Sequence, residues 1–421
     1  MMVGKRGWWA VALSCALAAA TQTEKITLER ALAEAMESNL SLLAERANVA
    51  IAEARLITAR LRPNPVLSAG GDHLDLLGTG FDEINGAGPA EFNFRADFTV
   101  ERGGKRQSRI AVAEYGRGVA ELEFLDAVRS LRLEVQNAWV DALLAREKLA
   151  LARRNLETLN RIVEINQARW RAGDIAEVEL IRSRLAALEQ ASAVRRTEAE
   201  VRSAIIRLLG LMGRTRFPSD AELVGELRRD AEVPALDRVR RMALERRPDL
   251  LARRLAARRA AAELKLELAR ARPDVILGSE YRRQQGLAGT GNMLGFFVEF
   301  PLPLFDRNQG EIERARQELR QVELRTRALE AGILAEVENA HQQCLASRRL
   351  LEEIESGLLA QAGEVRDITE YSYTRGQASL LELLDAQRTY NDSFAAWTEA
   401  RAEYARSLYR LEALAGGEVK P

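Results

Sequence analysis

Two stretches of this 421-residue chain repeat one another, and that duplication limits the fold more than any other feature. Arg171-Ala-Gly-Asp-Ile-Ala-Glu-Val-Glu-Leu180 returns as Arg375-Gly-Gln-Ala-Ser-Leu-Leu-Glu-Leu-Leu-Asp385. Setting Gly173 over Gly376, an offset of 203, pairs Val178 with Leu381, Glu179 with Glu382 and Leu180 with Leu383. Each copy lies between two long helix-like runs. Glycine takes the left-handed backbone that ends a helix, so both copies read as tips of long α-hairpins. A second alignment agrees. Leu28 to Leu61 is helical in pattern and stops at Arg62-Pro63-Asn64-Pro65, while Pro248 to Leu268 is helical and stops at Arg272-Pro273. Proline lacks the donor and clashes with the preceding turn, which is why each run ends there. This second offset is 210, with Asn39 over Asp249, Leu40 over Leu250 and Ala59 over Ala269. The chain is therefore two copies of one unit.

After each proline break the period changes from 3.6 to 2. In Glu91 to Glu101, Phe92, Phe94, Ala96, Phe98 and Val100 fall on one face, and Asn93, Arg95, Asp97, Thr99 and Glu101 on the other. Met293 to Leu302 alternates likewise through Leu294, Phe296, Val298, Phe300 and Leu302. Val275 to Arg283 sets Val275, Leu277 and Tyr281 against Glu280 and Arg282, and Pro65 to His73 is the weakest of the four. Gly-rich stretches, Leu77 to Gly88 and Gly286 to Gly291, separate the members of each pair. Each half thus offers one β-hairpin, with strands of roughly ten residues, the length of a tilted membrane strand. A sheet half-buried on a soluble core shows the same alternation.

Long helices follow. From Val128 a 3–4 spacing runs through Leu131, Val135, Ala138, Ala142, Ala145, Leu149, Ala152, Leu156, Leu159 and Val163, a coiled-coil seam within a helix expected over about 105–171. In the second half the seam is Ile312, Ala315, Leu319, Val322, Thr326, Leu329, Ile333, Val337, Ala340, Cys344, Ser347, Leu351, Ile354 and Leu358. Leu329, Ile333 and Val337 make two successive steps of four, a stutter that locally unwinds a supercoil. Returning helices are expected over 175–211 and 378–414. The composition suits this: much Ala, Leu, Arg and Glu, with only 10 Pro.

Lys5 and Arg6, an apolar stretch from Trp8 to Ala20 and the small residues Ala18-Ala19-Ala20 read as a secretory leader. Cys15 raises lipidation, for which Ala12-Leu13-Ser14 is a poor box. Without the leader one cysteine, Cys344, remains, so no disulfide forms within a protomer. The expected division is a leader over 1–20, a first unit over 21–212 (β-hairpin about 65–102, tip near 173) and a connector over 213–236. A second unit follows over 237–415 (β-hairpin about 274–303, tip near 376), then a tail over 416–421. Lys plus Arg and Asp plus Glu both number 62, so no basic footprint points to nucleic acid.

An apolar-faced β-hairpin in a bilayer must close into a barrel, because no water is there to satisfy an open edge. Four strands cannot close one; three copies would supply twelve, above a stem of helices. At this point the chain resembles the TolC family of outer-membrane efflux proteins. The resemblance rests on the duplication, the proline-broken joins and the tips at Gly173 and Gly376, and it covers nearly the whole mature chain. Phe98-Thr-Val-Glu-Arg-Gly-Gly-Lys-Arg-Gln-Ser-Arg-Ile110 looks like the strand-to-helix join of the CzcC-like, heavy-metal branch. The resemblance implies a mainly α fold with membrane β. A homotrimer would form a twelve-stranded barrel in outer-membrane lipid and a helical tunnel through the periplasm. It also implies docking on a periplasmic adaptor and an inner-membrane RND-type pump, with no cofactor.

The family closes its periplasmic end with acidic residues beside the second tip, and Glu382 and Asp385 fall there. Their i, i+3 spacing sets both on one helix face. Glu179 is the first-half counterpart, Arg182 stands opposite Asp385 in the alignment, and Tyr373 matches an aromatic closure position. Ala378 occupies the place of the family's gating arginine. Repeated threefold, such carboxylates would ring a narrow mouth, attract cations and disfavour anions; alternatively they only solvate exposed helix ends. Gly173, Asp174, Gly376 and Gln377 are the candidates for adaptor contact, against simple turn geometry. His341 and Cys344, spaced i, i+3, are set against a metal pair by Cys344's place in the seam, which reads as packing, and no metal site is expected. With two His in the chain, acid–base catalysis has little material, and no enzyme is expected. The function expected is a passive outer-membrane duct, cargo metal cations by branch resemblance and drugs or other organics otherwise. A periplasmic adaptor and a soluble coiled-coil scaffold are the rivals.

Overall fold

A computed structural model describes residues 24–78, 80, 89–218, 221–230, 232–286 and 289–417. The leader, most of the first strand-connecting loop and the end of the tail lie outside the described residues.

The order is β1 (Lys25–Ile26), α1 (Leu28–Ser38), α2 (Leu40–Arg60), β2 (Val66–Asp72), β3 (Glu91–Val100), α3 (Lys105–Ala172), α4 (Glu177–Leu211) and β4 (Glu222–Leu223). The second half runs α5 (Leu236–Arg246), α6 (Pro248–Arg270), β5 (Val275–Gly286), β6 (Gly289–Glu299), α7 (Gln309–Glu353), a π-helical turn (Ile354–Leu358), α8 (Leu359–Thr374) and α9 (Leu380–Ala415). The chain is mainly helical, with α3 alone 68 residues long, about 100 Å at 1.5 Å per residue.

The four long strands form one antiparallel sheet in the order β2-β3-β5-β6, so the two hairpins join through β3 and β5. Register brings Phe94, Tyr281 and Leu294 side by side, and Phe98, Leu277 and Val298. This face is exposed: Phe94 at 52%, Phe296 at 79% and Val298 at 68%. The opposite face is charged and internally paired. Arg95 Nε donates to Asp97 (2.9 Å), Arg95 also meets Glu299 (3.5 Å), and Arg282 pairs with Glu280 (2.8 Å). Alternation predicted these two faces, although β5 runs on to Gly286 and β6 ends at Glu299 rather than Leu302.

The joins between strands and helices are braced to each other. Gly103 and Gly104 take positive φ (71° and 76°) where β3 turns into α3. A side chain at Gly103 would meet the Ala269 carbonyl oxygen at 3.1 Å. Asp274 accepts the Arg102 N–H (2.9 Å) and pairs with Lys105 (2.7 Å). Asn308 Nδ2 reaches the carbonyl and carboxylate of buried Glu267 (2.9 and 2.8 Å).

Two cores lie around the middle of the long helices. One gathers Ile26, Ala31, Ala35, Trp139, Leu208, Leu209 and Met212; the other Val239, Ala243, Leu250, Ile333, Val337, Cys344 and Leu411. The constant offset of 210 needs correction. Buried Ala31, Ala35 and Leu42 correspond to Val239, Ala243 and Leu250 at 208, whereas Ala52, Leu56 and Ala59 correspond to Ala262, Leu266 and Ala269 at 210. α6 carries two residues more than α2, 23 against 21. Nor is 28–61 one helix. The backbone breaks at Asn39 (φ −67°, ψ 117°), whose side chain accepts the Leu42 N–H (3.0 Å) and donates to the Leu211 carbonyl (2.9 Å). The second-half seam stays buried from Ile333 to Ile354, but Leu358 emerges at 49% exposure because the π turn shifts the phase.

One duplicated feature escaped the pattern reading. Gly213 (φ 81°) and Gly416 (φ 76°), again 203 apart, end the returning helices. A Cβ at Gly213 would lie 2.3 Å from the Ser38 carbonyl oxygen, and one at Gly416 2.8 Å from the Arg246 carbonyl carbon. Gly173 has a similar φ but open space around it. Gly173→Ala should therefore cost about 1–2 kcal/mol of backbone strain, and Gly213→Ala roughly 1–3 kcal/mol more for the clash. Equal thermal midpoints for the two variants would contradict this account.

Candidate gate and docking site at the hairpin tips

Both tips close in the same way. Gly173 (φ 82°) gives its N–H to the Trp170 carbonyl (3.0 Å) and Asp174 gives its to Arg169 (2.9 Å). Gly376 (φ 76°) bonds Tyr373 (3.0 Å) and Gln377 bonds Ser372 (2.9 Å). This pair of bonds satisfies the last carbonyls of α3 and α8 and requires a left-handed residue at the glycine. Gly173, Asp174, Gly376 and Gln377 are all exposed.

Behind the tips the two hairpins interlock. Leu159 and Ile162 of α3, Ala187 of α4, Tyr373 of α8, and Leu380 and Leu383 of α9 form one apolar cluster, with Ala378 packed beside it. Tyr373 is 3% exposed. Its hydroxyl donates to Asn166 Oδ1 (2.5 Å), and burial raises its pKa, partly offset by that bond. Arg169 reaches across from α3 to the carbonyls that end α8, Tyr373 (3.2 Å) and Thr374 (2.7 Å), and its guanidinium lies 5.4 Å from the Tyr373 ring centroid. A cation at a helix C-terminus is favourable. Thus Arg169, from the other hairpin, binds here, while Ala378 supplies only packing. Further along, Gln387 Nε2 of α9 donates to buried Asn155 Oδ1 of α3 (3.1 Å). Asn155, Asn166, Arg169 and Gln387 were missed because the seam was traced through apolar residues alone. The buried face is Asn155, Leu159, Ile162 and Asn166, at the same 4-3-4 spacing, with Leu156 and Val163 only partly buried.

Glu382 and Asp385 lie three residues apart near the start of α9, and Glu179 lies in the first turn of α4. Glu382 closes a capping box: Ser379 gives both its N–H (2.7 Å) and its hydroxyl (2.9 Å) to the Glu382 carboxylate. Those bonds, the backbone one first, hold the carboxyl below its ordinary range. Glu179 is half-buried in the first turn of α4, and Asp385 and Arg182 are exposed. Among the described residues Arg182 forms no ion pair with Glu382 or Asp385. His341 is taken up by the backbone, its Nε2 donating to the Pro234 carbonyl (2.9 Å), while Cys344 is buried in the α5–α7–α9 core, where burial raises its thiol pKa.

A family profile described as outer membrane efflux protein matches residues 31–214 and 239–417. The cobalt-zinc-cadmium resistance protein CzcC of Cupriavidus metallidurans is 28% identical over 367 residues, 86% of this chain and 84% of that protein. The pyoverdine export outer membrane protein OpmQ of Pseudomonas aeruginosa is 25% identical over 347 residues, 76% of this chain and 69% of that one. A crystal structure of CusC superposes with a TM-score of 0.76 at 19% identity, covering 93% and 92% of the two chains, which shows a shared fold.

Two outcomes follow from the tip geometry. Tyr373→Phe strands Asn166, whose Nδ2 already has no protein partner, and should loosen α8 by roughly 1–3 kcal/mol; unchanged amide protection in residues 359–374 would refute the lock. For Glu382, whose folded pKa is lowered, the cap's contribution is full above the unfolded carboxylate value of about 4.3 and disappears as pH falls through the folded value. Protection factors in the first turn of α9 should drop across that range, and a pH-independent first turn would exclude the effect.

Proposed function

We infer the working assembly from one premise: the chain belongs to the outer membrane efflux protein family. It is an outer-membrane efflux channel, the exit component of a tripartite system, and its work is conduction rather than catalysis. Its stem of helices extends into the periplasm.

The assembly is a homotrimer in which three four-stranded sheets close a twelve-stranded barrel. The observation that carries this reading is the sheet itself: one face apolar and exposed, the other charged, and both outer strands, β2 and β6, unpaired on their far sides among the described residues. Lipid tolerates the apolar face but not the open edges, and pairing β2 of one copy with β6 of the next removes every edge. An inner-membrane RND-type pump supplies energy and a periplasmic adaptor seats on the exposed tips, through Gly173, Asp174, Gly376 and Gln377. The cargo is a metal cation, by likeness to CzcC.

At the mouth, Tyr373 holds the second hairpin shut through Asn166. Glu179 and Asp385 face the permeant ion, with Arg182 available to a neighbouring copy's carboxylate. Glu382 acts first as a helix cap, so its contribution to the mouth is the fixed charge of a tethered carboxylate.

Cross-linking in native membranes should give a ladder that ends at the trimer, and alkaline washing should leave the protein in the outer membrane. A monomer released without detergent would end the trimer reading. In planar bilayers, the double variant Glu179→Gln, Asp385→Asn should lower cation-over-anion permeability by about an order of magnitude. Unchanged selectivity would remove these two residues from the mouth.

A further inference from the structure

A cavity of about 610 Å³ lies between α2, α3 and α6, far from the tips and next to the joins with the strands. Its walls include Ala52, Ala59, Val112 and Ala113, and four arginines border it: Arg55, Arg62, Arg109 and Arg259. Among the described residues no carboxylate lines it. Arg109 is already committed, to Glu101 (2.6 Å) and to the carbonyls of Ala59 (3.2 Å) and Leu61 (3.0 Å) that end α2. Among the described residues Arg55, Arg62 and Arg259 have no ion-pair partner, although all three are exposed in a chain that pairs many of its arginines. Like charges gathered at one rim repel, and among the described residues only Arg109 of the four has a carboxylate partner.

The side on which the cavity opens follows from Arg109. Its partner Glu101 continues the Arg95, Asp97 and Thr99 face of β3, the charged face of the sheet. In a closed barrel with apolar residues outward, that face lines the duct. A basic rim over an apolar floor is suited to a ligand with an anionic head and an apolar body, since guanidinium forks match carboxylate, sulfonate or phosphate oxygens, and a pocket of this size buries a small organic skeleton.

We propose that this cavity is a transit site for amphipathic organic anions inside the duct, with Arg55 and Arg259 binding the head and the Ala52–Ala59–Val112–Ala113 surface the body. The proposal rests on the channel reading above. It gives the conduit two regions of opposite preference: carboxylates at the periplasmic tips and guanidiniums beneath the barrel. A cation released at the mouth and an organic anion held higher up are then both accommodated by one path.

The test uses the full-length protein in planar bilayers with naphthalene-1-sulfonate as probe. Partial block of the current is expected, with inorganic sulfate and naphthylmethylammonium much weaker. The double variant Arg55→Gln, Arg259→Gln should raise the half-blocking concentration by about tenfold or more, the loss of two charge-assisted contacts. Arg60→Gln, which removes a guanidinium paired with Glu114 (3.5 Å) outside the cavity, should leave block unchanged. Block that persists in the double variant, or sulfate that blocks as well as the naphthyl anion, overturns the transit site while the channel stands. A native protein that conducts no current at all counts against the channel reading and removes this proposal with it.

Discussion

The unpaired outer strands govern everything else in this molecule. A sheet apolar on one side and charged on the other, with two free rows of backbone N–H and C=O, is stable neither in water nor alone in hydrocarbon. The bracing at the strand-to-helix joins follows from that demand. Asp274 ties the entry to α3 to the exit from α6, and Asn308 ties the start of α7 to Glu267. Strand tilt and helix direction are therefore coupled before any second copy arrives. Each protomer presents its edges in a fixed attitude, so closure costs less conformational entropy than it would for free ribbons.

The lower end is organised differently. Along the hairpins apolar residues supply the packing, but at two levels a polar pair crosses it, Asn155 with Gln387 and Asn166 with Tyr373. A buried polar pair contributes little net stability and much to register, since sliding by one turn strands all its partners. Arg169 adds a charge clasp on the end of α8. These contacts are inside one protomer, between its two hairpins. The second hairpin is thus held to the first by a few separate polar bonds laid over its apolar packing.

Much of this could be read from residue order. The duplicated tips, the proline-broken joins and the alternation of Phe92 to Val100 required no coordinates, because glycine, proline and side-chain periodicity act through local backbone rules. What escaped depends on contacts distant in sequence. Asn39 looked like one more helical residue until its amide met Leu211, and Gly213 and Gly416 looked like loop punctuation until a neighbouring helix junction pressed against them. The Asn155 and Asn166 positions lay on the seam, hidden because an apolar trace prefers Leu156 and Val163. Glu382 shows the converse: its place near the tip was apparent, and its bond to Ser379 could have been inferred from the capping-box spacing.

The π turn at Ile354–Leu358 holds one residue of slack in an otherwise regular rod of helix. In an α-helix one residue is worth about 100° of rotation and 1.5 Å of length. Drawing that residue back into regular winding would swing everything below it, Tyr373 included, about a quarter turn around the rod. The azimuth of the second tip is thus stored at a single point, where the α5–α7–α9 core ends at Ile354. A shortening by one residue there would aim the tip's aromatic ring away from Asn166 without altering a single side chain at either place.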